Sequence, residues 1–338
     1  MPPAEGDRPR GDRVARLLVT GGAGYVGAHA LRALLRAGHS AVVIDDLRAG
    51  RADFVQGAAL IQADVGDAAA LAQAFAHHGP FDGVLHFAAS IEVADSVARP
   101  LAFYRNNVSA TVTLLEACRA AGVRGFVFSS SAAVYGNPLQ VPIPEDAALA
   151  PLSPYGATKM MVERMLADAA AAQGLRFAAL RYFNASGADP DGGLGECHAP
   201  ETHLIPLALR AAAGTGPALR LFGTDWPTRD GSCERDFVHV SDLAEAHVRA
   251  LEGLLDGGLC GAFNLGTGTG HTVREVLRAV ERNVGRAVPV EASGRRPGDP
   301  AVLVADPSRF QRAYDFVPRL SELDPIVATA WAWERARA

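Results

Sequence analysis

From Val14 onward, short and almost uninterrupted apolar runs alternate with longer segments of mixed polarity. The runs predict strands at Arg16–Thr20, Ala41–Asp45, Ala59–Gln62, Gly83–Phe87, Gly125–Ser129 and Arg176–Arg181. Such short Val-, Leu-, Ile- and Phe-rich runs suit strands buried on both faces, as in a parallel sheet covered by helices. The Ala-rich stretches between them predict helices at Tyr25–Ala37, Ala68–His78, Leu101–Ala121 and Pro154–Gln173. Repeated β–α alternation with right-handed crossovers makes this an α/β chain with a doubly wound parallel sheet. The pattern loosens after Asn184. Ala185–Pro200 and Thr224–Arg235 predict loops, Leu204–Ala213 a helix, and Leu219–Phe222, Asp236–Val240 and Phe263–Leu265 strands. Ser241 or Asp242 is expected to cap a helix running to Leu255, and Thr272 with Glu275 has the spacing of a capping box. The expected organisation is a disordered tail over 1–13, a nucleotide-binding unit over 14–183 and a smaller mixed α/β unit over 184–338. The stretch 236–265 is a candidate to return to the main sheet.

Composition narrows the function classes. With 32 basic against 37 acidic residues, a formal charge of −5 and no dominant basic block, a nucleic-acid partner is not expected. No apolar run approaches the roughly 18 residues of a membrane span. The four cysteines (Cys118, Cys197, Cys233 and Cys260) form no CxxC pair, which argues against structural zinc and for a reducing cytoplasm. His77 and His78 have no metal-ligand spacing, so no metal site is expected.

The candidate chemistry sits at strand ends. The first strand runs into Gly21-Gly22-Ala23-Gly24-Tyr25-Val26-Gly27 and then a helix. Glycines at 21, 24 and 27 suit in turn a tight turn, approach of backbone to a pyrophosphate, and close packing of helix on strand. The helix N-terminus offers Tyr25, Val26 and Gly27 N–H groups to phosphate. Asp45, followed by Asp46 at the end of the second strand, suits the adenosine ribose hydroxyls and would repel a 2′-phosphate. That favours NAD over NADP. Asp64 and Val65 end the third strand where an adenine edge would pass. Phe87, Ala88 and Ala89 follow the fourth, with alanines that serve packing as readily as cofactor approach.

Tyr155 and Lys159 lie at i and i+4, on one helix face, with Pro154 at a first-turn position. Ser129, Ser130 and Ser131 stand at the carboxyl edge of the sheet, where open parallel sheets bind ligands. Free tyrosine, with a pKa of about 10, is a poor base at neutral pH. The Lys159 ammonium and a positive nicotinamide ring are therefore both expected to favour phenolate, with Ser131 orienting the proton.

Together Thr20–Gly27, Ser129–Ser131 and Tyr155–Lys159 resemble the extended short-chain dehydrogenase/reductase family, whose sheet is of the Rossmann type. The segments 128–136, 153–156, 181–184 and 235–240 resemble, within it, the UDP-glucose (UDP-galactose) 4-epimerases over essentially everything but the tail. The resemblance implies an isomerase with tightly bound NAD that epimerises a UDP-hexose at C4 through a 4-keto sugar, with Tyr155 as acid/base, Lys159 on the nicotinamide ribose and Ser131 assisting. It implies cofactor contacts from Asn106, Ser129, Tyr182 and Phe183. The UDP-sugar would be held by Ser131, Tyr155, Asn184, His203, Leu204, Arg220, Phe222, Arg235, Arg296, Asp299 and Leu303. Homodimerisation through the helices 101–121 and 154–173 is implied as well. Two positions depart from the pattern: Ile91 stands where some members carry a cofactor-contacting lysine, and Leu303 where a tyrosine or a small residue sets the sugar range. UDP-N-acetylhexosamines and UDP-pentoses are the alternative substrates. A UDP-sugar decarboxylase, a 4,6-dehydratase and a non-enzymatic NAD-binding sensor are the alternative activities. Ala132 and Ala133 occupy the positions where a dehydratase or decarboxylase needs proton-transferring side chains.

Overall fold

In the computed structural model, which describes residues 14–296 and 299–337, the first half of the chain alternates strands and helices. The order is β1 (Arg16–Thr20), α1 (Tyr25–Arg36), β2 (Ser40–Asp45), β3 (Ala59–Gln62), α2 (Ala68–His78) and β4 (Gly83–His86). Next come α3 (Val93–Ala98), α4 (Pro100–Phe103), α5 (Ala110–Ala120), β5 (Gly125–Ser131), α6 (Pro154–Gln173) and β6 (Arg176–Tyr182). The tail expected over residues 1–13 lies outside the described residues. These six strands and the later β10 (Gly261–Leu265) form one parallel sheet in the order β10-β6-β5-β4-β1-β2-β3. β1, β4 and β5 are buried along almost their whole length, whereas β3, at the sheet edge, is half open to solvent. That is why the inner strands read as unbroken apolar runs. Leu31 and Leu34 of α1 cover one face together with Leu243, Leu251 and Leu254; Leu71, Leu114 and Leu166 of α2, α5 and α6 cover the other. Each fully buried leucine contributes about 1.5–3 kcal/mol.

The strand order reverses between β1 and β4, so the crevice beyond their carboxyl ends is the switch point where such sheets take ligands. The helix predicted over Leu101–Ala121 is interrupted. A wide turn over Tyr104–Ser109 separates α4 from α5. Buried Asn107 holds it, donating through Nδ2 to the Ser90 carbonyl and to Thr158 Oγ1, each at 3.0 Å, and accepting from the Ser90 N–H at 2.8 Å. Turns of this kind inside helices frequently mark functional sites.

The second half supplies β7 (Asn184–Ser186), α7 (Leu204–Ala213), β8 (Leu219–Phe222), β9 (Glu234–His239), α8 (Val240–Leu255), β11 (Gly270–Thr272), α9 (Val273–Val284), β12 (Val290–Ser293), β13 (Val302–Leu303), α10 (Ser308–Tyr314) and α11 (Leu323–Arg337). β9 lies between β11 and β13 and also pairs with β7, while β8 and β12 form a separate pair. Of the stretch 236–265, then, β10 joins the main sheet and β9 does not. Ile205, Leu209, Val276, Val280 and Ile326 close a core among α7, α9 and α11. The capping box at α9 forms with both reciprocal bonds, Thr272 Oγ1 accepting from the Glu275 N–H at 3.2 Å and Glu275 from the Thr272 N–H at 2.9 Å. The cap of α8 differs from expectation. His239 caps the helix, its Nδ1 accepting from the Ser241 N–H, because the Asp242 carboxylate is engaged by the Arg319 and Leu320 N–H groups and the Ser321 hydroxyl. Among the described residues no helix is long and apolar enough to cross a membrane, and all four cysteines are free.

Candidate functional site

β1 is followed by Gly21, whose φ is +70°, and a Cβ there would stand 2.5 Å from the Ala88 backbone nitrogen. Only glycine lets the β1 turn lie against the Phe87–Ala89 turn that follows β4. At Gly27 a Cβ would come within 2.1 Å of the Gly21 carbonyl oxygen, so α1 packs on its own turn only without a side chain. Gly24 differs: a Cβ there would meet that oxygen alone, at 3.4 Å, so this side of the turn is open. Gly24 is also the N-cap of α1 and offers no side-chain cap, and the first turn carries no acid. The N–H groups of Tyr25, Val26 and Gly27 are thus left for an anion, which fits a dinucleotide pyrophosphate.

Asp45 ends β2 beside this turn. Its carboxylate accepts from the Ala23 N–H at 3.0 Å and the Leu47 N–H at 2.9 Å, and burial raises its pKa. Arg48, which sequence reasoning missed, ties the adjoining candidates together. Its guanidinium donates to Asp46 at 2.5 Å, to Asp64 at 3.2 Å and to Asn106 Oδ1 at 3.0 Å. Val65 is buried, and Phe87 packs on the His247 ring at 4.7 Å. Ile91, at the position of the departed lysine, is 40% exposed.

β5 continues past the predicted Ser129 to Ser131 because β6 pairs with it residue by residue to Tyr182. The three serines then divide. The Ser129 hydroxyl pairs with the Tyr182 hydroxyl, and the Ser130 hydroxyl donates to Glu163 at 2.5 Å. Ser131, at the strand end, hydrogen-bonds Tyr155 and accepts from the Ala133 N–H at 3.2 Å. α6 begins with Ser153 as its cap and Pro154 in the first turn. A Cβ at Gly156 would lie 2.5 Å from the Ala133 carbonyl oxygen, so the first turn of α6 sits directly on the turn after β5. This contact brings Tyr155 to Ser131.

Lys159 is fully buried. Its ammonium donates to the Ser129 carbonyl at 2.7 Å and lies 4.9 Å from the Phe128 ring centre and 5.7 Å from that of Tyr155. Burial pushes its pKa down to about 7, opposed by the Glu163 charge. In the protein alone the Tyr155 pKa moves upward. Burial raises Tyr155, and the opposing influence is its hydrogen bond with Ser131, not the Lys159 charge.

The second-half candidates fall into two groups. Arg296 stacks on Phe222 at 4.3 Å, and the Asp299 N–H donates to the Arg296 carbonyl at 3.2 Å. Arg235 donates to the Glu234 carbonyl at 2.8 Å and is in register with Leu303 across β9 and β13. Leu303, with Phe183, packs against Ala132, Val134, Tyr135 and Ile143, which puts it against the turn after Ser131. Asn184 Nδ2 donates to the Asp236 carbonyl at 3.0 Å. Arg220 sits at an exposed position of β8. His203, the N-cap of α7, precedes Leu204 at the start of that helix, and its Nδ1 faces Glu196 at 2.7 Å and Glu201 at 3.0 Å. These carboxylates raise the His203 pKa to about 10 against its burial. His198 joins them, so four potential metal donors converge where the sequence suggested none. The loop spacing Glu-x-His-x-x-Glu-x-His was the available signal.

Residues 17–266 match the NAD dependent epimerase/dehydratase family. The chain is 51% identical over 322 residues to a UDP-glucose 4-epimerase of Azospirillum brasilense, covering 95% of this chain and 92% of the relative. It is similar in structure to UDP-glucose 4-epimerase from Brucella ovis in complex with NAD, with a TM-score of 0.92, 47% identity and coverage of 94% of this chain and 98% of that one. A UDP-glucose-4-epimerase from Stenotrophomonas maltophila with bound NAD and formylated UDP-arabinopyranose superposes with a TM-score of 0.92 at 41% identity, covering 96% and 98%.

Proposed function

The chain belongs to the NAD dependent epimerase/dehydratase family, and on that premise we propose that it interconverts UDP-glucose and UDP-galactose by reversible epimerisation at C4. The observation that carries this reading is the pairing of Tyr155 with Ser131 at the carboxyl edge of the sheet, beside the glycine turn, with only Ala132 and Ala133 following. NAD bound here would supply the hydride acceptor and donor that inversion at C4 requires. Residues 14–183 would hold it: Gly21, Gly24 and Gly27 shape the turn, the Tyr25–Gly27 N–H groups would take its pyrophosphate, and Asp45 the adenosine ribose.

Tyr155 removes the C4 hydroxyl proton and gives it back to the 4-keto sugar. Burial holds the phenol protonated, the form that returns the proton, while the Ser131 hydrogen bond favours the phenolate that removes it. Lys159, anchored on the Ser129 carbonyl, positions the nicotinamide ribose. Arg235 and Arg296 take the diphosphate, for which guanidinium forks are suited. The nucleotide is gripped and the sugar is not, as turning the keto sugar over requires. Ala132 and Ala133 cannot transfer protons, so dehydration and decarboxylation are disfavoured. Mass spectrometry of the product tests this directly: unchanged mass supports epimerisation, and loss of water or carbon dioxide refutes it.

Leu303 sets the sugar range. Its branched chain leaves more room than tyrosine and offers the sugar no hydrogen bond. Leu303→Tyr is expected to lose turnover of UDP-N-acetylglucosamine selectively; equal loss on UDP-glucose removes Leu303 from the sugar pocket. The working enzyme is a cytoplasmic homodimer, a reading supported by the free cysteines and by Val93, Val97, Leu101, Val112 and Met161, which α3 to α6 leave exposed. Light scattering should give the mass of two chains, and a one-chain mass at micromolar protein rejects the dimer.

A further inference from the structure

Residues 196–203 bring together the four side chains of the Glu-x-His-x-x-Glu-x-His run, with donor atoms all within 4.8 Å of one another. We propose that Glu196, His198, Glu201 and His203 bind one divalent transition-metal ion, with zinc the best match. Two imidazoles and two carboxylates are a zinc donor set, and zinc takes four such ligands tetrahedrally. With metal–ligand bonds of about 2.0–2.2 Å, tetrahedral donors stand about 3.4 Å apart. Here His203 Nδ1 is 2.7 Å from Glu196 and 3.0 Å from Glu201, and His198 Nδ1 is 3.1 Å from Glu196. Outward shifts of these close pairs and inward shifts of at most about 1.4 Å for the widest, which lies within 4.8 Å, bring the four donors to that spacing.

A second observation points the same way. The Glu201 side chain is 2% exposed, and its Oε2 has no hydrogen-bond partner. Arg210, 4.0 Å from that oxygen, is committed to Glu334 through two bonds of 3.0 and 3.1 Å. A buried carboxylate oxygen without a hydrogen bond is costly, and Glu201, whose Oε1 already faces His203, has this second oxygen free to share with a cation. Charge agrees. The Glu196 and Glu201 carboxylates are buried together, and a divalent ion between them would offset both.

The loop is braced for such a site. Trp333 Nε1 and Arg337 Nη1 both donate to the Glu196 carbonyl, at 2.8 and 3.0 Å, and the Tyr25 ring meets His198 edge-on at 6.3 Å. An ion here fastens the start of α7, through His203, to the loop that packs on the glycine-turn residue Tyr25. The role is structural, and it holds whatever sugar the enzyme turns over.

The test is metal binding by the purified full-length protein, stripped with chelator, dialysed against zinc and counted by mass spectrometry for metal. Wild type is expected to hold one zinc per chain, and cobalt in its place to show the visible ligand-field bands of a tetrahedral ion. His198→Ala and Glu196→Gln are expected to lower zinc affinity at least ~10-fold in calorimetry, a loss seen even for supporting residues of metal sites. His77→Ala, on the solvent-facing end of α2, is expected to change nothing. Circular dichroism verifies that each variant is folded; should one not be, cobalt spectra of wild type decide alone. No bound zinc in wild type, octahedral cobalt, or equal zinc in His198→Ala overturns the proposal.

Discussion

Tyr155→Phe is expected to cut turnover of UDP-galactose by about 10²–10⁴-fold, the usual contribution of a positioned acid/base. The substitution removes one oxygen and keeps the ring, so the packing at Lys159, 5.7 Å away, survives. NAD content of the purified variant should stay at the wild-type level, because the glycine turn and Asp45 are untouched. Steady-state turnover and cofactor content measured on one preparation separate the two effects. Turnover within a few-fold of wild type would remove Tyr155 from the proton-transfer role. Loss of NAD along with turnover would make it a cofactor-binding residue instead.

The second large effect lies beneath the site. Glu163 on α6 accepts from Arg181 at 2.6 and 2.9 Å and from the Ser130 hydroxyl at 2.5 Å. Arg181 donates also to Tyr135 at 2.8 Å and to the Glu145 carbonyl at 3.0 Å. Both partners of this ion pair are over nine-tenths buried. Removing one partner of a buried pair typically costs about 3–5 kcal/mol, because the other charge is stranded. Native stabilities of about 5–15 kcal/mol leave little reserve. Glu163→Ala is therefore expected to shift the denaturation midpoint by that amount or to accumulate as insoluble protein. Replacing both partners, as in Glu163→Leu with Arg181→Met, should recover much of the loss. A change below about 0.5 kcal/mol in the single variant, the range of ordinary surface substitutions, would contradict the reading.

The nucleotide-binding half was legible in the sequence because its strands are buried on both faces and announce themselves as apolar runs. The glycine turn was legible for a related reason: at Gly21 and Gly27 the backbone leaves no space for a Cβ, so the spacing cannot vary. Long-range bonds were not legible. Asn107 reaches Ser90 and Thr158 to interrupt the helix between α4 and α5, and nothing local in 101–121 signals it. Asp242 looked like a cap and instead holds residues 319–321. β7, β12 and β13 have two to four residues each, too few for a period to appear.

The site divides the same way. Tyr155, Lys159 and Ser131 were readable as residues at strand and helix ends. The direction of the Tyr155 pKa was not, since the sequence shows the neighbouring lysine but hides the burial of both groups. Arg48, Glu163, Glu196 and Glu201 act through partners 7 to 58 residues away, and only the folded chain brings them into view.

The central claim is tested most directly by giving purified protein UDP-galactose with no NAD added and identifying the product. UDP-glucose of unchanged mass is the predicted result: an epimerase that carries its own cofactor and returns the hydride it takes. No turnover, even with NAD supplied, would contradict the account.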